Sequence, residues 1–219
     1  MLAHRRNRPH GTLRVSMPPS YGVVDLMPRL PRYLDRYQRE VKIVASLTNS
    51  VAAFVTEGFD VAVRIGKVAD SRLVARKLRD AQVKVVASPA YLNRRGIPQD
   101  PDDLREHHCI DLLLPDTNKP VPWEFMRGKR ISEVAVNASI TVDLPLAAVS
   151  TAVAGGGVAR LLDFSVADEI AAGRLVEVLG AFRPPPTPIS IVYPASRHLP
   201  VNVRTFVDFL VGDEPRAGA

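Results

Sequence analysis

The chain has 219 residues, of which 46% are hydrophobic and 24% are charged, an ordinary composition for a globular protein of one large domain or two small ones. The 29 basic and 23 acidic residues give a formal net charge of +6. No apolar run approaches the roughly 20 residues that cross a bilayer, so we expect no membrane segment. A single cysteine, Cys109, excludes an internal disulfide framework and is typical of a reducing cytoplasm.

The basic residues do not predict a nucleic-acid surface of their own. They are spread along the chain apart from a cluster at residues 4–8, and no basic helix interleaved with aromatic residues accompanies that cluster. The start of the chain also lacks the apolar segment of a secretory signal. We therefore interpret residues 1–10 as a basic arm or the remnant of a linker.

The first part of the chain alternates strands with helices. Apolar and polar side chains alternate at residues 13–17 and 41–47, which predicts two strands. Apolar residues spaced three and four apart predict a helix between them. Because Pro28 and Pro31 lie inside its span, we expect the regular helix to begin near Pro28 or to be kinked there.

A second helix, at about residues 51–57, precedes a strand that is buried on both faces at residues 61–65. Gly58 fits the position that ends the helix, where glycine enters the left-handed region without strain. The β-branched residues that follow suit a strand within a sheet. Ligands of open α/β sheets bind at the carboxyl ends of strands, and this strand places Arg64 and Gly66 there.

The remainder continues the pattern of short strands and helices. Ser88 and Pro89 begin a helix as N-cap and first residue, and a basic turn at residues 127–130 joins two antiparallel strands. Further strands are expected at residues 73–78, 83–87, 109–114, 123–125, 131–142, 158–161, 175–179 and 189–193. Further helices are expected at residues 143–154, 165–172 and 201–210. This order indicates βαβ units with a mainly parallel core.

Chain crossings near residues 87 and 188 predict two lobes. The first lobe would contain residues 11–86 and 190–212, and the second residues 87–189. Residues 213–219 would form a flexible tail. Small ligands tend to bind in the cleft between such lobes.

Eight stretches, in this order, resemble the effector-binding domain of LysR-type transcriptional regulators. They are GTLRVS at 11–16, EGFDVAVRIG at 57–66, SRLVARKL at 71–78, ASPAYL at 87–92, DDL at 102–104, AGGGVA at 154–159, GRLV at 173–176 and VYP at 192–194. The resemblance covers about residues 11–212. It implies an α/β fold of two lobes similar to the type 2 periplasmic binding proteins, with mixed, mainly parallel sheets and a ligand cleft between the lobes.

Proteins of this family carry an N-terminal winged helix-turn-helix and a linker helix, and neither is seen here. We therefore expect DNA contact only through a helix-turn-helix domain absent from this chain. A truncated fragment, a mis-called start and a gene that lost its DNA-binding half all fit this expectation. The resemblance also implies a homodimer or homotetramer, in which the helix near residues 28–37 packs on the helix at residues 143–154 of a second subunit.

Ligand contacts in the first lobe are expected at helix N-termini, whose free N–H groups attract carboxylates. Ser20 and Tyr21 open the first helix, and Thr48, Asn49 and Ser50 open the second. The resemblance implies effector contacts at Ser20 and Thr48, and the Thr48 hydroxyl can also cap its helix. Family members often have an acid and a base at the positions of Asn49 and Ser50, so their effectors do not carry over.

Two further sets of residues complete the predicted ligand site. Arg64 is expected either to meet a ligand carboxylate in bidentate fashion or to form a structural ion pair with Asp60 or another acid. In the second lobe, Thr141, Val142 and Asp143 begin a helix that faces the cleft, where the family often has asparagine at the position of Val142. We expect Asp143 to be the N-cap of that helix rather than a ligand contact.

No catalytic residue, metal site or cofactor is predicted. His107 and His108 would point to opposite faces of a strand, so we interpret them as a solvent-edge pair before a buried Cys109. The glycines at residues 155–157 end a helix and precede a strand, the reverse of a dinucleotide-binding turn. Trp123 is expected to pack in the core or at its edge.

The leading hypothesis is a cytoplasmic small-molecule sensor that modulates transcription. Its effector would be a small organic acid, and an aromatic one if the Tyr21 ring contacts it. The alternative is the solute-binding protein of a transporter, which would need an export signal. An enzyme is disfavoured, because no nucleophile–base pair, metal set or pair of acids stands out.

Overall fold

The computed structural model describes residues 8–49, 58–68, 70–114 and 117–212. The chain divides into two compact units, Met1–Asp80 with Thr187–Ala219 (unit 1) and Ala81–Pro186 (unit 2). The helix expected at residues 51–57 lies outside the described residues. In the part of the chain that is described, no helix combines the length and the apolar character needed to cross a bilayer.

Unit 1 is built around a five-stranded sheet in the order β2-β1-β3-β12-β4. Its elements are β1 (Gly11–Met17), α1 (Pro19–Tyr21), a π-helical turn (Gly22–Leu26), α2 (Met27–Arg36), β2 (Val41–Leu47), β3 (Val61–Ile65), β4 (Leu73–Ala81), β12 (Thr187–Pro194) and α6 (Val201–Gly212). Strand β1 is parallel to both β2 and β3, whereas β12 is antiparallel to β3. The predicted buried strand at residues 61–65 is therefore the central strand of a mixed sheet.

The first helical segment begins earlier than the sequence predicted. Pro19 is its first residue, and the π-helical turn leads without a break into α2. Pro28 and Pro31 both lie inside this continuous helical segment, Pro28 just after the π-helical turn and Pro31 within α2. Gly22 allows this segment to lie close to the sheet, because a Cβ there would lie 2.2 Å from Cδ2 of Leu47 and would have to displace that side chain.

A mostly buried ion pair ties the start of α2 to the end of α6. Nη1 of Arg29 donates to Oδ2 of Asp25 over 3.1 Å, and Nη2 donates to the carbonyl oxygen of Leu210 over 3.0 Å. Leu210 lies in the last turn of α6, where the carbonyl groups lack partners within the helix. Asp25 thus neutralises a buried charge that also caps the final helix.

Unit 2 contains a second five-stranded sheet, in the order β11-β5-β10-β6-β9, and a separate hairpin of β7 and β8. Its elements are β5 (Val83–Ala87), α3 (Pro89–Arg95), a 3₁₀ turn (Pro101–Glu106), β6 (His108–Leu112), β7 (Glu124–Arg127), β8 (Arg130–Glu133), β9 (Asn137–Val142), α4 (Pro145–Val153), β10 (Val158–Leu162), α5 (Asp163–Ala171), β11 (Val176–Val178) and a 3₁₀ turn (Gly180–Phe182). Strand β6 is parallel to β9 and β10, and β5 is antiparallel to β10 and β11.

Two local predictions in unit 2 are confirmed and one needs correction. Ser88 caps α3 by accepting the N–H of Tyr91, and β7 and β8 are antiparallel around the basic turn. The strand expected at residues 131–142 is two strands, because β8 pairs with β7 and β9 pairs with β6. Val134, between them, is buried and donates its N–H to the carbonyl oxygen of Trp123 over 3.0 Å.

His107 is buried, so the prediction of a solvent-edge pair is wrong for this residue. Its side chain is 6% exposed, and its Nδ1 lies 3.1 Å from the hydroxyl of Tyr91 on α3. Burial lowers the pKa of His107; Asp103 opposes this shift, whereas Arg95 and His108 add to it. Packing of α3 against the start of β6 supplies this environment, which the local sequence does not reveal.

Asp25→Asn should lower the free energy of unfolding by about 2 kcal/mol, because it removes the carboxylate that pairs with the buried Arg29 guanidinium. The matched control is Asp35→Asn, which breaks a second arginine–aspartate pair of the same spacing. The side chains of that pair are 71% and 63% exposed, against 10% and 15% for Arg29 and Asp25. We expect the control to change stability by less than about 0.5 kcal/mol in urea denaturation. Equal losses in the two variants would contradict this account.

Stability should fall as pH drops below about 6.5, the ordinary histidine pKa. Because burial lowers the pKa of His107 in the folded chain, the unfolded chain binds this proton first on acidification. Replacing His107 with Gln should therefore reduce the loss of Tm between neutral pH and pH 5.5. His198→Gln, at an exposed histidine, should leave the loss unchanged. A His107→Gln protein with the same pH profile as the wild type would refute the assignment.

Candidate functional site

The carboxyl ends of three parallel strands meet at one edge of the unit 1 sheet. Met17 of β1 is in register with Leu47 of β2, and Ser16 is in register with Ala62 of β3. The next residues along these strands are therefore brought to a common edge. The backbone N–H of Thr48 donates to the carbonyl oxygen of Met17 over 2.8 Å, which fixes the first residue after β2 at this edge.

Arg64 lies at this edge with its guanidinium held in a fixed orientation. It is 8% exposed, and its Nη1 donates to the carbonyl oxygen of Val63 over 2.8 Å. Both Nη atoms donate to Oγ of Ser16, each over 3.3 Å. Burial lowers the pKa of the Arg64 guanidinium. The charge is therefore partly removed from water.

Ser16 is a contact that the sequence did not single out. It stands in a strand whose neighbouring residues, Val15 and Met17, are fully buried, and it is itself fully buried. The sequence offered one indication of its role, because Ser16 is a polar residue next to apolar residues of a predicted strand. Only the pairing of β1 with β3 shows that this hydroxyl supports Arg64.

Ser20 has a buried hydroxyl that lacks a protein partner. The residue is 3% exposed, and within the described part of the chain its Oγ makes no hydrogen bond. Ser20 lies at the start of the helical segment, two residues beyond the Pro18 that follows β1. A buried hydroxyl without a partner is uncommon and is often satisfied by a ligand or water.

The other residues predicted for unit 1 have varied environments. The ring of Tyr21 is fully buried, and Thr48 and Asn49 are half-buried. Gly66 has a φ of +96°, and its N–H donates to the carbonyl oxygen of Pro188 over 2.8 Å, so its glycine identity serves the turn. Ser50 lies outside the described residues. Ligand roles for these residues stay predictions.

Asp60, the predicted ion-pair partner of Arg64, is engaged at the opposite end of β3. Its Oδ2 accepts the backbone N–H of Arg14 over 2.7 Å, and its own N–H donates to the carbonyl oxygen of Arg14 over 2.9 Å. The two contacts fasten the start of β3 beside β1. This arrangement gives Asp60 a structural task apart from the carboxyl edge.

In unit 2, Thr141 and Val142 form the carboxyl end of β9, and the exposed Asp143 follows them. The prediction that Asp143 caps the next helix is wrong. Helix α4 begins at Pro145, its N-cap is Leu144, and no side chain caps it. Proline is favoured at the first position of a helix because its fixed φ suits that position, so the helix starts at Pro145 and not at Asp143.

The residues around Cys109 carry no reactive arrangement. Cys109 is fully buried as predicted, and burial, with a smaller contribution from Asp111, raises its pKa to about 12. Trp123 packs in the core as predicted and donates its indole N–H to Oδ1 of Asp111 over 2.6 Å. Among the residues that the structure describes, no three His, Cys, Asp or Glu side chains form a group that could hold a metal ion.

Comparison with known proteins identifies the family. The model of the LysR substrate binding domain matches residues 6–213. An uncharacterised HTH-type transcriptional regulator of Haemophilus influenzae is 33% identical over 193 residues, which are 88% of this chain and 66% of that protein. An HTH-type transcriptional repressor of Pseudomonas aeruginosa is 32% identical over 203 residues, 93% of this chain and 64% of that protein.

Solved structures agree in fold. The regulatory domain of CrgA, a LysR-type transcriptional regulator from Neisseria meningitidis, superposes with a TM-score of 0.85 at 26% identity and covers 94% of this chain and 100% of that chain. A second structure of CrgA gives a TM-score of 0.87 at 27% identity, covering 99% of this chain and 72% of that chain. The two-lobe fold of type 2 periplasmic binding proteins is thereby confirmed.

The alternative of a transporter's solute-binding protein is wrong, because the matching family and the relatives are transcriptional regulators rather than transport proteins. The chain spans about two thirds of the length of each of these two relatives, 66% of the Haemophilus influenzae protein and 64% of the Pseudomonas aeruginosa protein. The matched region is the substrate-binding domain. The chain belongs to the LysR-type family of transcriptional regulators.

Proposed function

We propose that this chain senses a small organic acid on behalf of a LysR-type transcriptional regulator. The observation that supports the proposal is the buried Arg64 guanidinium, held by Ser16 and Val63 at the carboxyl edge of β1 and β3. A carboxylate would accept hydrogen bonds from this fork and restore the solvation that burial removes from the charge. Ser20, at the same edge, offers a hydroxyl that can donate to the same ligand.

The chemistry of the surrounding side chains favours an acid with an apolar body. Val23, on the π-helical turn after Ser20, is 50% exposed, and Leu47, at the carboxyl end of β2, is 43% exposed. Val23 lies three residues after Ser20, and Leu47 directly precedes Thr48, so both are close in the chain to polar residues that we predict to contact the ligand. An aromatic ring or a short alkyl chain would cover apolar surface there while its carboxylate meets Arg64. The aromatic character remains a proposal.

The effector would act by favouring one of two conformations of the regulator, as any ligand with unequal affinity for two states does. DNA contact would belong to a helix-turn-helix domain, as the names of the relatives indicate for those proteins. Thr141, Val142 and Asp143 are proposed as further effector contacts of unit 2. A regulator of this kind would work in the cytoplasm, where it can reach DNA.

Carboxylates should bind more tightly than their neutral amides. Benzoate against benzamide and hexanoate against hexanamide are matched pairs for calorimetry, because each pair differs mainly in charge. Arg64→Gln should weaken binding of the favoured acid about 10- to 100-fold, the usual value of a charge-assisted hydrogen bond. Ser20→Ala should weaken it by a smaller factor.

The control for Arg64→Gln is Arg72→Gln, at an arginine of the same unit whose side chain is 75% exposed and pairs with Asp70. This variant should bind the acid as the wild type does. Equal affinity for acid and amide, or full affinity in Arg64→Gln, would remove the proposed site.

Self-association is a second part of the proposal, with α2 of one subunit packing on α4 of another. Sedimentation equilibrium should give a mass of two or four chains. Leu146→Glu, on α4, should shift the equilibrium toward one chain, because it places a charge in an apolar interface. Arg105→Glu, on an exposed turn of the same unit, should leave the mass unchanged. A single-chain mass for the wild type at high concentration would contradict the proposal.

A further inference from the structure

A β-bulge interrupts the pairing of β6 with β9 in unit 2. Cys109 is in register with Ala138, but the next residue, Ile110, is in register with Ile140. Ser139 is therefore an extra residue of β9 that is not paired with a residue of β6. Bulges redirect the strand that follows them, and here that strand leads directly to Thr141, Val142 and Asp143.

His108 holds this bulge from the neighbouring strand. Its Nδ1 lies 2.8 Å from Oγ of Ser139, and its Nε2 lies 2.8 Å from Nη2 of Arg95, the last residue of α3. The nitrogens of an arginine can only donate, so Nε2 of His108 must accept. The proton then sits on Nδ1, which donates to Ser139. The geometry thus requires the neutral form of His108.

The hydroxyl of Tyr91 contacts both His107 and His108. The Tyr91 hydroxyl accepts the backbone N–H of His108 over 2.9 Å and lies 3.1 Å from Nδ1 of His107. Asp103 of the 3₁₀ turn and Arg95 of α3 act on the pKa of His107 in opposite directions, Asp103 raising it and Arg95 lowering it. Nη2 of Arg95 also lies 2.8 Å from Nε2 of His108, which places a cation beside this ring.

We propose that His108 is a positioning residue that fixes the ligand-facing end of β9, and that its protonation loosens this restraint. A proton on Nε2 would place two donors, both cationic, 2.8 Å apart, and the contact with Arg95 would have to break. The ring would then hold Ser139 without support from α3. Mild acidification would shift residues 139–143, and with them the unit 2 effector contacts.

The proposal rests on the proposed function only where it gives Thr141, Val142 and Asp143 an effector role. The contacts of His108 with Ser139 and Arg95 are present in the protein without effector. The test of the proposal therefore uses no effector, and its outcome is independent of whether organic acids bind at Arg64.

The test is a pH titration of the ¹⁵N-labelled full chain by two-dimensional NMR from pH 8 to pH 5. The amide signals of residues 138–143 should shift together in one transition within this range. His108→Gln should abolish the transition at these amides. His198→Gln, at an exposed histidine of unit 1, should retain it. Absence of the transition in the wild type, or its persistence in His108→Gln, would overturn the proposal.

Arg95→Gln provides a second variant. A glutamine side chain can donate to the neutral His108 ring or accept from the protonated one, so the contact need not break on protonation. The transition at residues 138–143 should therefore become smaller. Arg105→Gln, also in unit 2, is the matched control and should leave its size unchanged. An undiminished transition in Arg95→Gln would overturn the proposal even if His108→Gln failed to fold.

Discussion

The parallel pairing of β1 with β2 on one side and with β3 on the other is the constraint on which the candidate ligand site of unit 1 depends. Strands that run in one direction must end on one side of the sheet, so the residues after β1 and β2 and the last residues of β3 collect there. The same pairing brings Ser16 to Arg64. A slip of one residue between β1 and β3 would turn Ser16 to the other face and leave the guanidinium without this support.

Two buried arginines of unit 1 illustrate how burial of charge is used in different ways. Arg29 has Asp25 beside it and caps the end of α6, so its environment serves the fold. Arg64 is held by a hydroxyl and a carbonyl at the edge where strands end. The position of Arg64 beside the strand ends is why the proposed function depends on Arg64 and not on Arg29.

In unit 2, successive residues of strand β6 contact different parts of the fold. His108, Cys109 and Asp111 follow each other along this strand, and each meets a different environment: the bulge of β9, the core and the indole of Trp123. The role proposed for His108 would make the position of Thr141 and Val142, and with it the proposed effector contacts of this unit, depend on one histidine side chain.

The sequence by itself determined the elements and their local chemistry. Alternation marked the strands at residues 61–65 and 83–87, Ser88 marked the start of a helix, and the ordered motifs marked the family. These features depend on residues at most a few positions apart. Arg64 and Ser20 could be chosen as site residues for the same reason, since strand ends and helix starts are local features.

The tertiary structure alone decided the partners. Ser16 and Arg64 are 48 residues apart, Arg29 and Leu210 are 181 apart, and His108 and Ser139 are 31 apart. It also decided that residues 131–142 split between two sheets, that His107 is buried and that α4 starts beyond Asp143. Local propensity cannot specify such contacts, because they depend on which strands pair, in which direction and in which register.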